Sequence, residues 1–216
     1  MSSTAISGKG STFSIGTSSG SANNITAISL TNPCRITLQS SVSGLSVGDV
    51  VAIASITGTT QLNGVTAVIE YIEPANKIIT LAGINALAYT EWTSGGTVTP
   101  VVMTEIANVL SFSGLDGSNA ELDVTNLSST AKEFISGMVD EGGFSIDVHF
   151  DNANAGQLAL AAARSSGTLK NFKLVLPNSK TATFSGLVKK FNLSGGVDQA
   201  VKRSCDMRIS GPVVWS

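Results

Sequence analysis

The sequence predicts a fold dominated by β-structure, a β-sandwich with one flanking helix and a second small β-barrel or sandwich. Three observations predict it. β-branched residues recur in every apolar run, while Gly, Ser and Thr are abundant and charged residues make up only 13% of the 216 residues, a composition that favours strands over helices. Short apolar runs are separated by Gly, Asn, Asp and Pro turn signals, and period-two alternation is clear from Phe144 to Asp151, as expected of a sheet with one buried and one wet face. A hydrophobic content of 42% is ample for a packed core.

Residues 1–23 are rich in Ser, Gly and Thr with only Phe13 and Ile15 to pack, so they read as an arm carrying a short strand. The Gly8-Lys9-Gly10 triplet lacks the Ser or Thr and the upstream glycine of a phosphate loop. Residues 24–99 contain the runs ITAISL, RITLQS, VVAIASI, VTAVIEYI and KIITLAG, divided by Gly44 to Asp49, Asn63-Gly64, Pro74 to Asn76 and Ser94 to Gly96. That alternation of strand and turn predicts a separate small β domain.

Residues 100–216 form the second region. VVMTEIANVLSF opens it, and three strands close it, LKNFKLVL, TATFSGLVKKFNL and AVKRSCDMRI. Between them lies one helix, capped by Asn154, with Gln157 at the capping-box position, Leu158, Ala161, Ala162 and Ser165 on one face, and Gly167 as its stop. Cys205 alternates with Val201, Met207 and Ile209 and reads as a small buried hydrophobe. With Cys34 it makes no metal-binding spacing.

The chain is organised around residues 120–152, which read as strand, long loop, strand. Leu122 and Val124 point one way, and Glu121, Asp123 and Thr125 the other; Phe144, Ile146, Val148 and Phe150 alternate with Ser145, Asp147, His149 and Asp151. If the two strands pair, Glu121, Asp123, Asp147 and Asp151 crowd one wet face, at a mild cost in repulsion. The bland reading is a solvated acidic surface.

The run from Asp123 through Phe150, with its D-V-T-N-L-S-S-T-A-K-E-F-I-S-G loop, resembles the tube-forming core of major tail proteins of long-tailed, lambda-type phages. The likeness extends more weakly over residues 101–210, and GKGSTFSIGT resembles that family's opening strand. With family-like segments on both sides, residues 24–99 read as a domain inserted after the first core strand and projecting outward.

The resemblance implies a structural virion protein of the tail, assembled in the bacterial host cytoplasm and polymerising as stacked hexameric rings. The partners it implies are other copies of the chain, a tape measure protein, a tail terminator, baseplate or tip proteins, and genomic DNA passing without specific binding. About 24 strands at roughly 4.8 Å spacing and 40° tilt give a perimeter on the order of 150 Å, wide enough for a duplex. A basic bore would hold phosphates, because even non-specific sites bind with Kd of roughly 10⁻⁴ to 10⁻⁶ M. Glu121, Asp123, Asp147 and Asp151 are therefore the candidates for an acidic lumen, with the basic strands after Asn171 turned outward or toward the next ring. Phe134, Ile135, Met138 and Val139, apolar residues in the loop, are the candidates for contact with a neighbouring subunit or ring.

Charge supports a two-sided surface. From Glu105 to Asp151 there are nine acids and one base, a net of −8, and from Asn152 to Arg208 nine bases and two acids, a net of +7, a separation suited to head-to-tail association.

Catalysis and cofactors find no motif. There is no Gly-x-Ser-x-Gly elbow and the single histidine, His149, has no cysteine near it. Asp147, His149 and Asp151 span about 13 Å of strand, too far for ligands about 2 Å from one ion. A non-enzyme without metal or cofactor is expected. No basic segment with an apolar run opens the chain and no run approaches the roughly 20 apolar residues of a membrane span, so the Asn-x-Ser/Thr triplets at Asn24, Asn126 and Asn192 are read as chance. The rival reading is a glycan- or protein-binding β module on a virion or cell surface, with Trp92, Tyr71 and Tyr89 of the inserted domain as its stacking surface.

Overall fold

A computed structural model describes residues 5–216; the first four residues of the N-terminal arm lie outside the described residues. The strands are β1 (Thr12–Ser19), β2 (Asn23–Ser29), β3 (Cys34–Leu38), β4 (Val50–Thr57), β5 (Thr66–Glu73), β6 (Ile78–Leu81), β7 (Ser94–Glu105), β8 (Val109–Gly114), β9 (Ser118–Asp123), β10 (Phe134–Asp140) and β11 (Gly143–His149). After the helix α1 (Ala155–Ser166) come β12 (Lys170–Val175), β13 (Thr181–Gly196), β14 (Gln199–Ile209) and β15 (Val214–Trp215). The fold is mostly β, with one α-helix among the described residues.

Two compact units divide the chain. One comprises Met1–Ile106, Asn171–Thr183 and Val214–Ser216, and the other Ala107–Lys170 and Phe184–Val213. In the first, strands run β2-β3-β6-β5-β4-β7, and β2 pairs back onto β7 through Asn23 with Val98 and Asn24 with Thr97. Six strands thus close on themselves and leave no free edge.

The barrel has its own core, including Ile25, Ile36, Val51, Ile53, Leu62, Ile69, Ile79 and Val98. Gly96 is required there: its φ is +100°, and a Cβ would lie 2.7 Å from Ile56 Cγ1 and 2.9 Å from Ile25 Cδ1.

Strand β7 pairs with β1 as well as with β2 and β4 of the barrel. Its start pairs with β4, as in Val98 with Ile53, and its end pairs with β1, as in Val101 with Ser19. Chain entering and leaving the barrel therefore runs side by side, at Ser19 beside Val101 and Asn23 beside Val98. β1 continues to β12, where Phe13, Ile15, Phe172 and Leu174 are buried. Lys173 Nζ meets Asp49 Oδ1 at 3.0 Å.

In the second unit β13, β14, β11 and β8 lie in that order. Phe144, Ile146 and Val148 of β11 face Met207, Cys205 and Arg203 of β14, and Phe144 packs edge-on against Phe184 with centroids 5.3 Å apart. Cys205 is buried, as its alternation predicts.

The helix forms where predicted, with a different buried face. Asn154 accepts from the Gln157 amide at 2.9 Å, and Gly167 ends the helix in a left-handed conformation, φ 60°. The buried positions are Gly156, Gln157, Leu160 and Ala163, not the stripe from Leu158 to Ser165, and Leu158 is exposed. Gln157 does not close a capping box either. Its Nε2 donates to the His149 carbonyl at 2.8 Å and the Ala107 carbonyl at 3.3 Å, and its Oε1 accepts from the Asp151 amide at 3.0 Å. The side chain satisfies backbone groups at the end of β11, which rotates that helix face inward.

Candidate assembly surfaces

The segment after β8 does not pair as the sequence suggested. β9 pairs with β10 in a two-stranded sheet of its own, Asp123 opposite Phe134 and Glu121 opposite Ser136, while β11 pairs with β8 and β14. Much of the expected loop is thus a strand, and the true loop runs from Val124, whose amide donates to Glu133 O at 2.9 Å, through a turn at Asn126 to Ser129. A bulge between Ser136 and Val139 shifts the register. Phe134 and Ile135 precede the bulge and point to opposite faces of the hairpin, and Met138 lies within it.

Both faces of this hairpin are open. Phe134 and Ile135 are each 53% exposed, Met138 86% and Val139 61%, and Leu122, Val124 and Leu127 are exposed with them. Leu122 faces Ile135, whereas Asp123 and Glu121 share the other face with Phe134 and Val139. The four contact candidates therefore do lie on one hairpin, interleaved with two of the lumen candidates. A lone two-stranded sheet with so much apolar surface in water is marginal.

The four carboxylates are not brought onto one sheet face. Glu121 and Asp123 stand on the hairpin. Asp147 stands on β11, where Ser111 Oγ donates to Oδ2 at 3.1 Å and Ser204 Oγ donates to Oδ1. Asp151 lies past the strand end, its Oδ1 accepting from the Ala153 amide at 2.9 Å. The Thr125 hydroxyl and amide hold the Asp123 carboxyl below the usual carboxylate range.

Nor is the wet face of β11 uniformly acidic. Ser145 lies opposite Asp206, and Asp206 opposite Lys190; Asp147 lies opposite Ser204, and His149 opposite Lys202. Residues paired across antiparallel strands share a face, so Lys190 and Lys202 join Asp147 and Asp206 on it. Each of these acids has a serine across the ladder, and Ser145 Oγ meets Asp206 Oδ1 at 2.9 Å. Of the basic strands, β14 is the direct neighbour of β11 and β13 lies next beyond it, so these two do not turn their lysines away from the face of Asp147.

His149 closes the strand β11 opposite Lys202. Its Nδ1 is buried without a hydrogen-bond partner. Among the described residues no group of three or more His, Cys, Asp or Glu could hold a metal ion, and no helix is long and apolar enough to cross a membrane.

Sequence reasoning missed Arg203. Its guanidinium carbon sits 4.7 Å from the Phe150 ring centroid and 4.5 Å from that of Phe191, a double cation–π clamp. The signal was available, because Arg203 occupies the same parity as Cys205, Met207 and Ile209, a charge on the apolar side of its strand. Around it Leu193 is 59% exposed, Val201 43% and Phe150 39%.

On the barrel, Trp92 and Tyr89 pack partly buried against its core and the Trp92 indole N–H donates to the Gly95 carbonyl at 3.0 Å. Tyr71 is exposed.

Comparison with known proteins bears on residues 91–180, which match the family model described as phage tail tube, TTP, lambda-like. The tail-tube resemblance read between Asp123 and Phe150 falls inside that match. Among solved structures, the chain is similar to the C6-symmetric tail of an empty GTA particle, at 16% identity and TM-score 0.46 over 53% of this chain and 86% of that one. It is similar to the six-fold baseplate of the anti-feeding prophage, at 15% identity and TM-score 0.42 over 53% and 84%. It is also similar to Hcp1 from Salmonella typhimurium, at 13% identity and TM-score 0.30 over 77% and 91%. No curated protein matches the chain.

Proposed function

We propose that this chain is the subunit of a phage tail tube, a structural virion protein that stacks as hexameric rings around a passage for DNA. The observation that carries the reading is the β9–β10 hairpin inside the family-matched segment, with Phe134, Ile135, Met138 and Val139 all exposed. Apolar surface of that kind is covered in the working state, and a tube covers it with a neighbouring copy. As in the tail-tube resemblance, the further partners are a tape measure protein, a tail terminator and baseplate or tip proteins, and assembly takes place in the host cytoplasm.

The passage wall in this reading is the polar face around Asp147. Its hydroxyls and interleaved acids and bases, Asp147 and Asp206 with Lys190 and Lys202, leave little net field to hold phosphates. Glu121 and Asp123, beside Phe134 and Val139 on the hairpin, belong to the subunit contact instead, and Asp151 to the turn that starts the helix. The six-stranded barrel, with its own core and its entering and leaving strands side by side, is the inserted domain and projects outward.

Negative-stain microscopy of the purified protein over a concentration series tests the reading. Rings or tubes are expected, and a chain that stays monomeric throughout would overturn it. Asp147→Lys in an assembled virion tests the wall: impaired DNA delivery is expected, and unchanged delivery would exclude this face from the passage.

A further inference from the structure

We infer that Arg203 is the acceptor for the hairpin of a second copy, its guanidinium taking the Asp123 carboxylate while Phe134 seats among Leu193, Val201 and Phe150. The inference rests on the assembly reading above and names where the contact is made.

The acceptor is pre-organised. The Phe150 and Phe191 rings both lie against the guanidinium, at 4.7 and 4.5 Å, so much of the rotamer entropy an arginine loses on binding is already lost. Arg203 forms no ion pair among the described residues, and its Nε is buried without a hydrogen-bond partner. A half-buried, unpaired guanidinium is costly, and a carboxylate that reaches its fork removes the cost.

The surroundings fit an acid flanked by an aromatic ring. Leu193 lies directly across the ladder from Arg203, and the Phe150 amide bonds to the Val201 carbonyl at 2.9 Å, so exposed apolar side chains border the cation. Val148, Arg203 and Leu193 lie in one register row, adjacent to the row of Asp147. Alternation puts this surface on the opposite side of the sheet from the passage wall.

The hairpin offers the complement. Asp123 stands opposite Phe134 in its ladder, a carboxylate beside an exposed ring. Asp147 is held by two serines, Asp206 by Ser145 and Asp140 by Arg208, whereas Asp123 accepts from the Thr125 amide at 2.9 Å in its own hairpin and pairs with no cation among the described residues. Charge agrees at the larger scale, since residues 116–141 hold six acids and one base, and residues 189–203 four bases and one acid. A contact between two different patches of one chain is heterologous and propagates, as a tube requires.

The test is a charge exchange read by the concentration at which tubes appear. Asp123→Arg, an exposed hairpin change, and Arg203→Glu should each raise that concentration by about 10-fold or more, as truncated interfacial ion pairs do, and a mixture of the two variants should assemble near the wild-type concentration. Glu121→Arg, with its residue opposite Ser136, should have the smaller effect. Because Arg203→Glu could disturb its own ring clamp, a second measurement uses Asp123→Cys with Leu193→Cys, which should give disulfide-linked multimers on oxidation of assembled tubes. Wild-type tubes with an unaffected Asp123→Arg variant and no cross-link would overturn this pairing while leaving the assembly reading intact. Absence of wild-type tubes would overturn both, and a stronger effect at Glu121 than at Asp123 would overturn the assignment.

Discussion

Phe13 and Phe172 stack with ring centroids 5.6 Å apart and planes 1° from parallel. The two residues are distant in sequence yet lie on paired strands, Ile15 of β1 standing opposite Phe172 of β12, and both are fully buried. A short strand from the N-terminal arm is thereby built into a core, which makes it more than a tether.

The stack predicts that Phe172→Ala lowers unfolding free energy by about 3–5 kcal/mol, as for other buried Phe truncations. Phe13→Ala should cost a similar amount, and the double variant should cost less than the two together, because the second truncation no longer removes the ring contact. Urea denaturation of the three variants gives the comparison; strict additivity would show that the stack contributes nothing beyond area.

Gly96→Ala tests the closure of the barrel. At φ +100° an alanine is strained, and its methyl would push against Ile56 and Ile25, so destabilisation by about 1–3 kcal/mol is expected. Gly44 also has positive φ, but no atom lies within 4 Å of its Cβ position. Gly44→Ala should therefore show the conformational part alone, and the difference between the two melting temperatures isolates the steric part.

What the sequence made legible was whatever follows a single local rule. The strands with one buried face, such as Phe144 to His149, and the helix between Asn154 and Gly167 were readable because alternation and capping are encoded in neighbouring residues. β10 was not, since a bulge after Ser136 and two open faces remove the period that marks a strand. The pairing of β9 with β10 is a register fact, and no spacing along one strand reveals its partner. Arg203 was hidden for the same reason: its rings come from β13 and from beyond the end of β11, and only the ladder aligns them. Burial of Gln157 in place of Leu158 shows the reverse, a polar side chain drawn inward to bond the carbonyls of His149, at the end of β11, and of Ala107, just before β8.

Neither cysteine should react in the folded chain. Burial pushes the Cys34 thiol up to about 11, and burial with the nearby Asp206 pushes Cys205 up to about 12, so almost no thiolate exists at neutral pH. A thiol reagent at pH 8 should label neither residue natively and both in denaturant. Native labelling of one alone would mark local opening of its unit.

Asp140 should tie the β10–β11 turn to pH. Its carboxylate accepts from the Gly142 amide at 2.9 Å and from Arg208 Nη2, and its pKa is lowered from 3.8, first by the Gly142 amide, with desolvation opposing and Arg208 adding less. For a carboxyl whose folded value is depressed, the stabilisation is fully present above the unfolded value and is lost as pH falls through the folded one. Amide exchange protection across Asp140 to Gly143 should thus hold at neutral pH and weaken only below about pH 3.8, and Asp140→Asn should abolish that dependence. Because the backbone amide leads, Arg208→Ala or high salt should raise the titration midpoint only part of the way to the ordinary value. A full return to it in Arg208→Ala, followed by NMR of the carboxyl carbon, would assign the shift to the ion pair instead.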